Sequence, residues 1–325
     1  MEKKTYIVKN KDYNARLRSR SGGFFFALAT MFLQNNGVVY GCAQNECFEA
    51  EHIRVTNNSD LPKLAGSKYI QSVTGKTFLN VKKDLQNGVA VLYSGTGCQI
   101  GGLLSFLRAK NIDTNRLLTI DIVCHGVPNP EIWRAFLQWA ENKYSGKVTA
   151  ADYRDKRYGW SSHFETLTIK NRRITFDYYK EMFYKHYTLR PSCYKCPYCN
   201  LDRVGDVTIA DAWGIDYHNA DFNDDKGCSL VIINTNAGAD AFESVKQLLD
   251  WRCVQIDDFM QPNLRHASSM PNNRDAFWDD YYSRGFSYIS KKYGGNNIKG
   301  NIKARIKKCM GRWGLTRFVK GVMNK

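Results

Sequence analysis

Residues 190–199 read RPSCYKCPYC, which places three thiols, Cys193, Cys196 and Cys199, at C-x2-C-x2-C spacing. Two cysteines three residues apart can reach one metal centre from a single turn, as in zinc and iron–sulfur sites. Three thiolates do not close a four-coordinate centre. A zinc ribbon needs a second Cys or His pair, and the nearest Cys or His downstream are His218 and Cys228, neither of them paired. A bacterial ferredoxin run needs a cysteine four residues after Cys199, where Arg203 stands. The better fit is a centre completed by remote cysteines, and Cys98 and Cys124 are the candidates. Five thiols then compete for four positions.

The elements around those two cysteines predict how they meet. VAVLYS (89–94) suits a buried strand, GTG a tight loop, QIGGLLSFLRAKN a helix, and LLTIDIVC (117–124) a second buried strand. This is a βαβ unit with parallel strands and a right-handed crossover. Cys98 falls in the loop leaving the first strand and Cys124 at the end of the second. Both reach the edge where open α/β sheets bind ligands. Either cysteine alone reads first as a small buried hydrophobe, and it is the two at one rim beside C-x2-C that point to a ligand role. His125 adjoins Cys124, but neighbours at a strand end point to opposite sides, which argues against a Cys–His nucleophile.

Further segments alternate in the same way. SGGFFFALATMFLQNNG (21–37) predicts a helix, VVYGCA a strand and FLNVKKDLQNG a helix. DVTIADAW (206–213) and CSLVIINT (228–235) predict strands, and GADAFESVKQLLDW a helix. The class is α/β: a mostly parallel sheet with βαβ units, a smaller N-terminal α/β portion and a basic C-terminal helical tail. The expected divisions are 1–87, 88–265 and 266–325.

Small and basic residues gather at places suited to an anion. RSRSGG (18–23) lies at a helix start, where backbone N–H groups and the helix dipole favour phosphate. GSKY (66–69) repeats the pattern, and SGTG (94–97) is a glycine-rich link between strand and helix without the spacing of a P-loop. YRDKRYGW (153–160) concentrates basic and aromatic groups. An ordinary Ser cap, a Gly turn or a solvated loop accounts for each segment equally well.

With 43% hydrophobic and 24% charged residues, the 325-residue chain has the composition of a folded water-soluble protein. It has no apolar run of spanning length and no signal-peptide core, so ten cysteines point to reduced thiols and metal chemistry in the cytoplasm. Residues 291–325 supply +11 of the net +16 charge and contain no acid. The excess is therefore a basic tail, and no nucleic-acid partner is expected. NIKARIKKCMGRWGLTRFVKGVMNK interleaves that charge with apolar residues, which suits an anionic membrane surface, on the inner face, or an acidic partner.

GTGCQIGGL, DIVCHGVPNPEIW, YRDKRYGW and RPSCYKCPYCNLDRVGDVTIADAWGI together resemble the coenzyme F420 hydrogenase/dehydrogenase beta-subunit family. RSRSGGFF, GVVYG and GSKYIQS are similar to its N-terminal portion, so the likeness covers residues 15–270. It implies an iron–sulfur flavoprotein oxidoreductase carrying FAD and a [4Fe–4S] cluster. Electrons would pass to or from a deazaflavin or another small-molecule acceptor, in bacterial members alongside polysaccharide synthesis. The family pattern puts the cluster on Cys98, Cys124, Cys193 and Cys196, with Cys199 as the extra thiol or alternative ligand. The flavin would fall on Ser21, Gly22, Gly23, Ser67 and Lys68, to which the loop geometry adds Gly95 and Thr96. Arg154 and Lys156 are further anion or flavin-ring contacts. Two features depart from the family. Gly97 replaces its usual proline, and the chain has no N-terminal ferredoxin-like run, so a separate ferredoxin-like partner is implied. The alternative is a non-redox or zinc-stabilised α/β protein, a sugar-modifying transferase or scaffold in polysaccharide assembly.

Overall fold

A computed structural model describes residues 3–312. Along the chain run β1 (Thr5–Asn10), α1 (Tyr13–Arg18), α2 (Phe24–Gln34), β2 (Val38–Gln44), β3 (Ala50–Val55), α3 (Thr77–Gln86), β4 (Val91–Thr96), α4 (Gly97–Ala109) and β5 (Leu117–Ile122). Next come α5 (Pro130–Tyr144), β6 (Val148–Asp152), β7 (Glu165–Ile169), β8 (Arg172–Phe176) and α6 (Tyr178–Tyr184). They are followed by β9 (Val207–Asp211), α7 (Ile215–His218), β10 (Ser229–Ile233), α8 (Asn236–Val245), β11 (Leu249–Val254), α9 (Arg274–Lys292) and α10 (Ile298–Arg312).

These elements fall into two units. The first holds the residues up to Lys68, Ser72–His125 and Cys196–Ala267. The second holds Tyr69–Gln71, Gly126–Lys195 and the chain from Ser268 onward. Residue 87 lies inside the first unit, between α3 and β4. The second unit is largely an insertion in the sequence of the first.

The first unit is built on an eight-stranded sheet in the order β11-β1-β10-β9-β5-β4-β2-β3. Its centre is parallel: β2 with β4, β4 with β5, and β5 with β9. Antiparallel pairs complete both sides. Along β4, Leu92 packs on one face with Phe24, Leu28 and Phe242 of α2 and α8. Val91 and Tyr93 pack on the other with Val81, Leu85, Leu103 and Leu107 of α3 and α4. Burial on both faces is why these strands read as unbroken apolar runs.

The βαβ reading holds, with one correction. GTG is not a loop: β4 continues through Gly95 and Thr96, and α4 begins at Gly97. Thr96 has extended backbone (φ −72°, ψ 158°) and caps the helix directly, with Gln99 Oε1 accepting its N–H at 3.0 Å. A second difference follows Val245, where the expected helix stops and Leu249–Val254 becomes β11, paired to β1. Among the described residues no helix is long and apolar enough to cross a membrane. The basic tail forms α10 as far as Arg312, and the rest of it lies outside the described residues.

The second unit carries an antiparallel sheet, β6-β7-β8, and an aromatic core. Trp133 of α5 stacks on Tyr153 at 4.3 Å, and Phe136 meets Phe176 edge-on at 5.2 Å and Phe286 at 5.5 Å. The long α9 is broken at Gly285 (φ 73°). Trp133 is fully buried. Trp133→Ala is therefore expected to lower stability by about 3–5 kcal/mol, read from urea unfolding; a loss within error would contradict this packing.

A candidate cysteine centre at the parallel edge of the sheet

The register of β4 on β5 places Thr96 opposite Ile122. Cys98 and Cys124 each stand two residues beyond that pair, so both belong to the carboxyl edge of the parallel strands, as the sequence predicts. Cys98 is not in a loop but in the first turn of α4. Its thiol is exposed and lies 3.1 Å from Thr96 Oγ1. Because the Thr96 hydroxyl donates to Gln99 Oε1 at 3.1 Å, the Cys98 S–H is the donor of that contact.

Cys196 and Cys199 arrive at the same unit on the segment leading into β9. Cys199 is buried, and its thiol points to the Cys124 carbonyl at 4.0 Å. Asn263 Nδ2 donates to Cys199 Sγ at 3.9 Å while Asn263 Oδ1 accepts from His125 Nδ1 at 3.1 Å. When Cys196 is ionised, the single Cys199 S–H donates to it instead of to the Cys124 carbonyl, which lowers the Cys196 pKa below the ordinary thiol value. The same hydrogen bond, with burial second, raises that of Cys199. Cys196 is thus the thiolate-forming member of the pair.

Two contacts fix this segment. Tyr198 lies on α4 where Gly97 and Gly101 leave room. A Cβ on Gly97 would come 2.9 Å from Tyr198 Cβ, and one on Gly101 2.5 Å from Tyr198 Oη. Gly97 is therefore a docking surface for a rigid ring as well as a departure from the family pattern. Arg203 then turns back into the sheet, its guanidinium 2.5 Å from Asp121 Oδ2, with the two side chains 2% and 0% exposed. Arg203 also donates to Ile122 O at 3.2 Å and to Tyr198 O. Burial raises the Asp121 carboxyl above its ordinary pKa, while Arg203 and the Thr208 hydroxyl pull it back. The sequence marked Arg203 only as a missing ligand. G-x-x-x-G at the start of α4 was the legible sign of a close neighbour.

A polar network adjoins the edge. His52 Nε2 donates to Ser94 O at 3.0 Å, so Nδ1 accepts from the Ser72 hydroxyl at 3.1 Å. The Gln99 amide donates to Ser72 Oγ at 2.8 Å. Hydrogen bonds thus run from Cys98 through Thr96, Gln99 and Ser72 to His52. Burial lowers the His52 pKa to about 4, which keeps the ring neutral.

The anion-binding candidates are engaged elsewhere. Ser21 Oγ donates to Cys228 O at 2.6 Å, Gly22 N–H to Ser229 Oγ at 2.8 Å, and Gly23 is the left-handed cap of α2. Gly95 and Thr96 are strand residues, and Ser67 is exposed. The Lys68 ammonium donates to three carbonyls, Cys42 O (2.8 Å), Ala65 O (3.0 Å) and Lys63 O (3.1 Å), and burial lowers its pKa to about 8. A cavity of about 300 Å³ lined by Met31, Phe32, Ala90, Leu118 and Ala241 is apolar. Ala90 and Leu118 put it at the opposite end of the strands from the cysteines.

In the second unit, Val127 N–H points to Cys193 Sγ at 3.5 Å. Arg154 is buried and donates to Trp160 O (2.6 Å), Ser162 O (3.2 Å) and Tyr69 Oη (3.3 Å), which organises its own loop. Lys156 opens a short 3-10 turn and is partly exposed.

The profile for the C terminus of the coenzyme F420 hydrogenase/dehydrogenase beta subunit matches residues 89–258. The chain belongs to this family. The match contains Cys98, Cys124, Cys193, Cys196 and Cys199 but neither RSRSGG nor GSKY. No curated protein matches the chain. Among solved structures, the fold is similar to a chain in the xenon-derivatised F420-reducing [NiFe] hydrogenase complex from Methanosarcina barkeri. The TM-score is 0.54 at 14% identity, covering 89% of this chain and 90% of that one.

Membership of a hydrogenase and dehydrogenase family places the chain among oxidoreductases. A thiol set at a sheet edge fits an iron–sulfur centre in donor chemistry, since soft thiolates are its ligands. Among the described residues, however, no three His, Cys, Asp or Glu side chains converge as a ready metal-ligand group. Ser21, Gly22 and Lys68 do not fit a flavin contact as they stand, because their donors serve the protein's own acceptors.

This geometry has two measurable consequences. Gly101→Val should displace Tyr198, lower stability by about 1–3 kcal/mol and speed the reaction of Cys199 with a thiol reagent; unchanged reactivity would contradict the anchoring. For His52, the folded pKa lies below the unfolded one, so its stabilisation is present above about 6.5 and lost as pH falls toward 4. Between pH 7 and pH 5 that loss is about 2 kcal/mol. Urea unfolding of His52→Gln at the two pH values should show a correspondingly smaller drop than the wild type.

Proposed function

We propose that the chain is an electron-transfer module of its oxidoreductase family, with Cys98, Cys124, Cys193 and Cys196 as the ligands of a [4Fe–4S] cluster. The observation that carries this reading is the parallel register that sends Cys98 and Cys124 to one edge, where Tyr198 and Arg203 pin the Cys196 segment. Cys193 joins the set through its three-residue spacing from Cys196. Cys199 is a partner of Cys196 and stands as the alternative fourth ligand. The cluster would supply single-electron transfer to an organic acceptor such as a deazaflavin or another small molecule, and an FAD would have to be held by groups other than Ser21, Gly22 and Lys68. A ferredoxin-like protein would be the electron donor or acceptor, in the cytoplasm, in a setting linked to polysaccharide biosynthesis.

The internal hydrogen bonds of Ser21, Gly22 and Lys68 favour a second reading without flavin. On it, the chain is a non-redox or zinc-stabilised α/β protein, a sugar-modifying transferase or scaffold in polysaccharide assembly.

Anaerobic purification and reconstitution with iron and sulfide separate the two. The first reading expects iron and sulfide at one cluster per chain, together with flavin, and loss of the cluster in Cys98→Ser and Cys124→Ser. A colourless protein that holds zinc or no metal, and tolerates both substitutions, would establish the second. Cys193→Ser and Cys199→Ser identify the fourth ligand by which of them loses iron.

A further inference from the structure

Helix α10 presents two different faces. Its inner face is packed within the second unit: Ala304 is buried against Tyr158 and Phe164, Asn301 Oδ1 accepts from Tyr178 Oη at 2.8 Å, and Lys308 Nζ donates to Thr175 O at 2.9 Å. Positions 301, 304 and 308 lie on one side of a helix of 3.6 residues per turn. Ile298, Ile302 and Ile306 recur at i, i+4 and i+8 on another side and are 80%, 53% and 55% exposed. One exposed isoleucine is unremarkable, but three aligned over two turns form a continuous apolar stripe. Helical spacing puts Arg305 along one border of that stripe and Lys299 and Lys303 along the other. All three are exposed, and α10 contains no acidic residue.

From this arrangement we infer that α10 is an interfacial helix that lays the Ile298–Ile302–Ile306 stripe into an anionic lipid bilayer, with Lys299, Lys303 and Arg305 on the headgroups. A stripe of apolar side chains bordered on both sides by long cationic ones matches the layered chemistry of acyl chain and phosphate. The uniformly positive charge selects an anionic partner. A lipid surface needs no complementary relief to meet the convex face of a single helix. Ala304, Asn301 and Lys308 already anchor the opposite side, so the helix meets the membrane as part of the folded unit. The inference is independent of the redox reading, since none of these residues is among the candidate ligands.

The test is flotation of the full-length chain with vesicles of phosphatidylcholine alone and of phosphatidylcholine mixed with phosphatidylglycerol. The expected result is binding to the mixed vesicles at least about tenfold above that to phosphatidylcholine, weakening as salt is raised. Ile302→Asn/Ile306→Asn and Lys299→Glu/Lys303→Glu should each lower that binding by about tenfold. All four positions are exposed, so an unchanged circular dichroism spectrum and melting curve should accompany each loss. No binding to either vesicle would overturn the inference, as would equal binding to both or retained binding in the isoleucine variant. Binding of the chain to soluble polyglutamate without flotation would also overturn it in favour of an acidic protein partner.

Discussion

A guanidinium and a carboxylate shut away from water, Arg203 and Asp121, set the position of the cysteine segment. Such a pair needs further hydrogen bonds to both groups, because desolvation opposes it by several kcal/mol per ion. Here Thr208 donates to Asp121, and the carbonyls of Ile122 and Tyr198 accept from Arg203. Those partners belong to β5, to its parallel neighbour β9 and to the cysteine segment itself. The segment therefore cannot shift along the sheet edge without breaking the set together. Tyr198, laid on the bare flank of α4, adds a second constraint on the element that carries Cys98. Ligand candidates far apart in sequence are thereby tied to one rigid scaffold.

What could be read from the sequence was what local burial dictates. The strands β4, β5 and β10 are covered on both faces, so each is a largely apolar run that declares itself. The helix between β4 and β5 and the shared edge for Cys98 and Cys124 follow from that alone. β1 and β3 announce themselves less clearly. β11 buries only its first residue, Leu249, and its first residues continue a helical pattern. The segment holding β6, β7 and β8 gave no boundary signal, because nothing local records that the chain leaves one hydrophobic core, builds another and returns. Arg203, Tyr198 and Asn263 act through partners 60 or more residues away. That information exists only in the folded chain.

The anion-binding segments show the complementary ambiguity. Glycine, serine and lysine are chosen to cradle a phosphate because they supply small size, hydroxyls and N–H donors. The same properties serve a helix cap, a strand crossing or a ring of carbonyls. Lys68 is the clear case: three backbone acceptors around one ammonium satisfy all its donors, and that environment has no signature in GSKY. Gly97 shows the reverse. The residue that stands in place of the family's proline is a surface cut to fit an aromatic ring.

The placing of β1 bears on how the protein is made. Val8 pairs with Ser229 on one side, and Thr5 with Val254 on the other. A nascent chain emerging from the ribosome therefore carries this strand with both edges unpaired until β10 has been made, and with one edge unpaired until β11 follows. Contacts this distant in sequence close slowly, and an open strand is an invitation to pair with other chains. β1 is thus made well before either of the strands that secure it. Premature termination before β11 would leave a polypeptide with an exposed sheet edge, a natural substrate for chaperones and proteases.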